Sequence, residues 1–416
     1  MNSPDDQRRR RTADVVMYWV RRRGLTRQIF ADRLGKSVSW VDKIRNGDRQ
    51  LDRLSVLRQI AIVLDIPLGT LIDPDQAEEL QRCPDEREID AIRHALRRYD
   101  VITNVFRPNG DVLPEPDLAA LERQVRYGWM AFQASNYQAI GDMLPGLIRD
   151  AQSAVWQLDG HSERRAKAWL AWTYQLTAEA AFKLADAQLG WVAADRGIQL
   201  AEQTEDPALI GNSARRVAHA LSETAQSPDA VHLVRSAADR LAPRLSQADP
   251  AFVSAYGMLL LKGSIAAAKL HRGADVRDLQ AEALRVAAMV DDGCNDHWSA
   301  FGMTNVRVYE VAALADMHSG GLVIEAAQAI SNADLLHLPK ERRASHLLAV
   351  TMGYMQWGKR DDAANTLLEA DHLAPEEVRC RSYTRTIIAE LIHSYPRTSS
   401  IPVPLSNLAR ATGVTT

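Results

Sequence analysis

The chain has 416 residues, with 50 Lys and Arg against 53 Asp and Glu and a formal net charge of −3. That length allows two or three domains with buried cores, while the near-neutral total says nothing by itself about nucleic acid. Cys83, Cys294 and Cys380 are far apart and form no Cys-x-x-Cys, which argues against a disulfide framework or a zinc knuckle. A charged N-terminus where a signal peptide needs an apolar run, and no stretch that approaches a membrane span, predict a cytoplasmic protein without membrane contact. The charge is unevenly spread. Residues 1–72 carry 15 Lys and Arg against 8 Asp and Glu, a net of +7, so the remainder carries −10. A basic head on an acidic body fits a modular DNA-binding protein, and fits equally a solvated arginine-rich surface.

Residues 1–11, ending in Arg8-Arg9-Arg10-Arg11, read as a disordered basic arm, either a minor-groove contact or a charged leader. A first helix is predicted from Thr12, with Val15, Val16, Trp19 and Val20 inward. Thr26 is a good N-cap for a second helix, in which Ile29, Phe30 and Leu34 share a face before Gly35 stops it. Ser37 caps a third, with Val41 and Ile44 inward and Asn46-Gly47 as the closing turn. Two short helices joined by so tight a turn are a helix-turn-helix signature, whose second helix can enter a major groove.

The pattern Gly24-Leu25-Thr26, Phe30-Ala31, Leu34-Gly35, Ser37-x-x-Val and Ile44-x-Asn-Gly resembles the DNA-binding domain of XRE-family regulators. Leu54, Leu57, Ile60, Leu64, Asp65-Ile66-Pro67 and Leu71-Ile72 extend the likeness through two closing helices, which makes 12–72 a five-helix domain. The resemblance puts Val38, Ser39 and Lys43 at base-reading positions. Chemically, Lys43 can donate to guanine, Ser39 can bond either kind of base edge and Val38 can meet a thymine methyl. Arg27, Lys36, Arg45 and Arg49 suit phosphates. Arg27 stands where the family usually has Gln, and Trp40 is bulky for its position, facing either DNA or the first helix.

Residues 73–116 read as a connector, broken at Asp73-Pro74, Cys83-Pro84 and Arg107-Pro108, with one amphipathic helix over 85–106 on Ile89, Ile92, Leu96, Tyr99 and Ile102. From Asp117 there is no strand pattern, only Ala/Leu-rich helices in pairs. Punctuation at Asp206-Pro207, Asp249-Pro250, Asp291-Asp292-Gly293, Leu338-Pro339 and Ala374-Pro375 recurs about every 40 residues, a helical-hairpin period. Leu347, Val350, Tyr354, Gly358, Ala363, Leu367, Ala370 and Pro375 resemble a tetratricopeptide repeat, and units at Trp169–Pro207 and Ile210–Pro250 match more loosely. The predicted fold is therefore all-α, with a helix-turn-helix domain followed by an α-solenoid over 117–393 and a tail over 394–416. That arrangement resembles RRNPP-type regulators, whose repeat bodies bind signalling peptides. It is also similar to a set of regulators from GC-rich bacteria, through Asp195–Ala201, Ser213–Ala220 and Trp298–Val306.

No phosphate-cradling loop, His-Glu-x-x-His or nucleophile elbow is present, so neither an enzyme nor a cofactor is expected. Cys294 and His297 are at most half a metal site. A stacked solenoid presents a concave face lined by first helices, where Trp169, Trp172, Asn212, Arg216, Tyr256, Trp298 and Asn305 are candidate ligand contacts or, for the aromatics, inter-repeat core. The leading expectation is a homodimeric transcription regulator on a pseudo-palindromic operator in double-stranded DNA, sensing a peptide or small-molecule effector. The alternative is a tetratricopeptide interaction scaffold with a weak DNA tether.

Overall fold

The computed structural model describes residues 4–46, 48–49, 51, 53–66, 68–72, 83–84, 86–97, 115–397 and 400–414, with side chains from Thr12 onward except that of Gln247. All regular structure among them is helical. The chain divides into two compact units, residues 1–82 with 410–413 and residues 83–409 with 414–416.

In the first unit α1 (Pro4–Arg22), α2 (Arg27–Leu34), α3 (Val38–Arg45), α4 (Leu54–Leu64) and α5 (Gly69–Ile72) share one core. Val16, Phe30, Val41, Ile44, Ile60 and Leu64 are fully buried in it. The turn between α2 and α3 is fixed locally. Thr26 Oγ1 accepts from Ile29 N at 3.2 Å and Ser37 Oγ from Trp40 N at 3.3 Å, while Gly35 takes a left-handed φ of 63° that a side chain would resist. Helix α1 starts at Pro4, so the stretch expected to be disordered is helical from there; proline suits a first helical position, where no N–H is needed. The turn glycine Gly47, Pro67, the breaker Asp73-Pro74 and the side chains of Arg8–Arg11 lie outside the described residues.

The second unit opens with α6 (Glu86–Leu96), whose Ile92, Ala95 and Leu96 are buried in the core of the first repeats. The expected connector helix is thus part of the body as far as Leu96; Tyr99, Ile102 and the Arg107-Pro108 break lie outside the described residues. Six antiparallel hairpins follow. They are α7 (Leu118–Gln133) with α8 (Tyr137–Gln157), α9 (Gly160–Lys183) with α10 (Ala187–Ala201), and α11 (Pro207–Glu223) with α12 (Ser227–Leu241). Then come α13 (Pro250–Lys269) with α14 (Gly273–Ala287), α15 (Met303–Asp316) with α16 (Gly320–Gln328), and, beyond the one-turn α17 (Asn332–Leu335), α18 (Lys340–Gln356) with α19 (Arg360–Leu373). Helices α20 (Pro375–Arg379), α21 (Ser382–His393) and α22 (Val403–Ala411) complete the chain, and Leu405 and Leu408 bring the expected tail into the last core.

The Asp-Pro punctuation has a direct cause. Asp206 accepts from Ala208 N and Leu209 N, and Asp249 from Phe252 N, so each aspartate caps a helix whose first residue is the proline. Helix α13 corrects one expectation. It is 20 residues long with a hydropathy of 1.5, enough to cross a membrane by length and composition, but 83% of that apolar window is buried inside the protein.

The two ends of the solenoid meet. Gln138 N donates to Glu376 at 3.0 Å, the Tyr137 hydroxyl donates to Glu377, and Lys183 reaches both Glu341 and Glu377. Cys83 and Cys380 form a disulfide across a sequence separation of 297 residues, contrary to the expectation of no disulfide. Their partnership follows from closure of the solenoid, which no local spacing announces.

Candidate functional site

Two places concentrate polar chemistry, one in each unit. On α3 the apolar side is spent on the core, with Trp40, Val41 and Ile44 buried. Ser39, Lys43 and Arg45 are exposed and Val38 is half-buried against the core. Lys36 and Arg49 are exposed beside them, and Arg49 lies 5.3 Å over the Trp40 ring. Trp40 therefore packs inward and supports a cation. Asp42 holds Arg27 at 2.8 Å and Arg45 at 3.8 Å, pairs that contribute at most about 1 kcal/mol at such exposure and exchange readily for a phosphate. Lys43 has no ion-pair partner among the described residues.

In the second unit the first helices of successive hairpins line a cavity of about 330 Å³. Part of its wall is aromatic: Trp129 and Phe132 on α7, Phe182 on α9, and Trp298 from the loop before α15. Trp298 stacks on Trp129 with ring centroids 5.5 Å apart and planes 8° from parallel. That loop is held open at a conformational cost. His297, Trp298 and Ala300 have φ of 49°, 55° and 48°, left-handed values that each cost a non-glycine residue on the order of 1–2 kcal/mol. It is pinned by reciprocal amide hydrogen bonds between Gln133 and Asn295, and by Asp292, which accepts from Thr304 N and Oγ1. Phe301 fits where a Cβ on Gly257 would stand, so α13 needs glycine there.

The rest of the wall is charged and buried. Lys183 Nζ donates to Glu341 at 2.5 Å and to Glu377 at 2.6 Å. Glu377, fully buried, also accepts from Tyr137, Ser345 and Arg381. Burial alone would push Glu341 up, but Lys183 and Arg342 outweigh it and hold the carboxyl at about 2. Arg216 Nε stands 3.1 Å from Glu179, close enough for an ion pair though out of line for a hydrogen bond, and His219 Nδ1 is 3.3 Å from the same carboxylate. Glu179 is held well below the usual carboxylate range because Arg216, helped by the His219 hydrogen bond, overrides its burial. Burial pushes His219 down to about 4, with Lys262 adding to the effect, so its imidazole is neutral at ordinary pH.

Of the sequence candidates, Arg216 and Trp298 line this cavity. Asn305 stands behind it: its Oδ1 accepts from Arg342 Nη1 at 2.9 Å, which orients a guanidinium that does line the wall. Asn212 is fully buried and donates to Ala208 O within its own helix, and Tyr256 is buried with its hydroxyl 3.4 Å from Glu282. Neither is among the lining residues. Trp172 meets Trp298 edge-on at 5.3 Å and Trp169 lies under Arg126 at 5.8 Å, both in the aromatic packing around the wall. Cys294 donates to Asp296, and the described residues contain no group of three or more metal-ligating side chains.

Sequence reasoning missed Glu179, Lys183, Arg215, Lys262, Tyr309, Glu341 and Arg342. A signal was present for one of them. Lys262 is the single charge in the apolar run from Pro250 to Ala268, and a lone charge there costs too much to bury without a purpose.

No family model and no curated protein matches the chain. Among solved structures, PlcR of Bacillus thuringiensis, in complex with the peptide PapR7 and DNA, is similar at 15% identity. The match covers 67% of this chain and 95% of that one with a TM-score of 0.33. BtubC (BKLC) from P. vanneervenii is similar at 11% identity over 61% of this chain and 91% of its own, with a TM-score of 0.35. Likeness at this level carries no argument about function, which rests on the residues themselves.

Proposed function

We propose that the chain is a sequence-specific DNA-binding transcription regulator that works as a homodimer and senses a small signal through the cavity of its repeat unit. The observation that carries the DNA-binding half is the division of α3. Its apolar side is consumed by the core, while Ser39, Lys43 and Arg45 are left outward, flanked by Lys36 and Arg49. Such a helix offers donors for base edges and cations for phosphates on one surface. A homodimer would set two such helices about 34 Å apart, one helical turn of DNA, on an inverted repeat. A ligand shifts that arrangement only by binding one state better than another.

The test is selection of genomic fragments by the full-length protein at low and at physiological salt. Enrichment of a few inverted repeats that survives the higher salt supports the reading. Diffuse enrichment that disappears with salt overturns it, because phosphate contact alone behaves that way.

A further inference from the structure

The charges around the cavity do not balance locally. Glu341 and Glu377 are spoken for by Lys183 and Arg381, and Glu179 by Arg216. Glu223 pairs with Lys269 at 3.0 Å and Arg342 stands 3.6 Å from Glu341. Asp316, the remaining carboxylate on the wall, makes no ion pair among the described residues and is one negative charge against the cations that follow. Two cations on the wall are reached by no ion pair. Arg215 on α11 is only 4% exposed, its Nε has no hydrogen-bond partner, and it makes no ion pair with any described residue. Lys262 on α13 also lines the cavity and has no ion-pair or hydrogen-bond partner among the described residues. Between these helices Tyr309 of α15 lines the same wall, with the Arg342 guanidinium 5.1 Å over its ring.

A fold gains nothing from an orphaned buried guanidinium. Removing a charge from water costs several kcal/mol unless a partner restores what hydration supplied. The electrostatics agree with the geometry. Burial, then Arg216, pushes Arg215 down to about 9, which leaves it charged at neutral pH, and burial also lowers Lys262. The Tyr309 phenol, which burial alone would raise, is lowered instead by Arg342, Lys262 and Arg215. Arg215, Lys262 and Arg342 thus share with Tyr309 one stretch of wall beside the aromatic side chains.

We infer that the cavity binds a small molecule with an aromatic or apolar body and one carboxylate or phosphate, the anion seated against Arg215, Lys262 and Tyr309. The anion supplies the missing partner for both cations, and Trp129 and Trp298 take the apolar part. This deepens the sensing role proposed above and rests on it.

The experiment uses the full chain at fixed ionic strength, with thermal shift and calorimetric titration of phenyl phosphate, phenylacetate and the neutral phenylacetamide. At least one anion is expected to raise the Tm and to bind tenfold or more tightly than the amide. A preference for phenyl phosphate identifies a phosphate ligand, and a preference for phenylacetate a carboxylate. Arg215→Met is expected to erase that preference while leaving the ligand-free Tm equal to wild type or higher. Lys262→Met, at a less buried position, is the second variant and is expected to behave the same way. Equal binding of amide and anions, persistence of the preference in both variants, or a lower ligand-free Tm in both overturns the inference. Repeating the DNA titration with the bound anion separates the two proposals. Binding that leaves operator affinity unchanged defeats the sensing role and leaves the anion site standing.

Discussion

The two units handle charge in opposite ways. The first unit keeps its interior apolar, and the one buried arginine among its described residues, Arg23, is satisfied by the Leu64 and Asp65 carbonyls at 2.8 and 2.9 Å. Its other described cations stand on the surface or at its edge. The repeat unit turns this inside out: Glu179, Lys183, Arg215, Arg216, Glu341 and Glu377 are all buried. Outward cations suit a large polyanion approached from water, where the cost of desolvation is small. Inward charges suit a ligand small enough to enter, and they make each interaction strong because little water competes.

The sharpest way to break this contrast is Lys183→Met, which leaves Glu341 and Glu377 without their shared cation. A loss of roughly 3–5 kcal/mol in denaturant unfolding is expected, as for other broken buried pairs. The same change combined with Glu341→Gln and Glu377→Gln should recover much of it; no recovery would show that Lys183 acts by packing rather than charge.

Acid should weaken the repeat unit in two stages. His219 and His346 are held at about 4, chiefly by burial, against about 6.5 in an unfolded chain. A group with a depressed folded pKa contributes stability above its unfolded value and loses it as pH falls through the folded one. A first decline in Tm is therefore expected between pH 6.5 and 4. Glu223 and Glu341, both held at about 2, add a second decline below about 4.5. In His219→Gln with His346→Gln the first stage should vanish, and an unchanged profile would assign it elsewhere.

Smaller effects belong to the outward surface. Lys43→Ala should cost about 1–3 kcal/mol of affinity for a selected site with no change in Tm, measured by titration against selected and scrambled fragments. Arg49→Ala should weaken all DNA alike and lower the slope of log affinity against log salt by about one. A sequence-dependent loss from Arg49→Ala would move it from the phosphate to the base-reading set.

How much of this could be read from the sequence follows the distance over which each feature is made. Thr26, Gly35 and Ser37 act within three or four residues, so α2 and α3 were legible to the boundary. The last hairpin was legible for the same reason, because Gly358 occupies its left-handed turn. At the corresponding turns of the earlier hairpins the left-handed residue is Ser135, Ala185, Ala225, His271 or His318, none of which signals such a turn. The cavity lay furthest out of reach. Its wall draws residues from α7 through α21 and is braced by pairs such as Lys183 on α9 with Glu377 on α20, and side chains on one helix say nothing of a partner 194 residues away.

A linear array of helical hairpins has two ends that fray, and it usually survives the loss of a terminal repeat because each unit leans only on its neighbours. Here the last elements seal the first, through Glu376, Glu377 and Cys380 meeting Gln138, Tyr137, Lys183 and Cys83. The repeats therefore form a closed circuit in which no hairpin is terminal. Such a body has no end from which to unzip, so it should melt in one step, and trimming its final helices should compromise the opening ones as well.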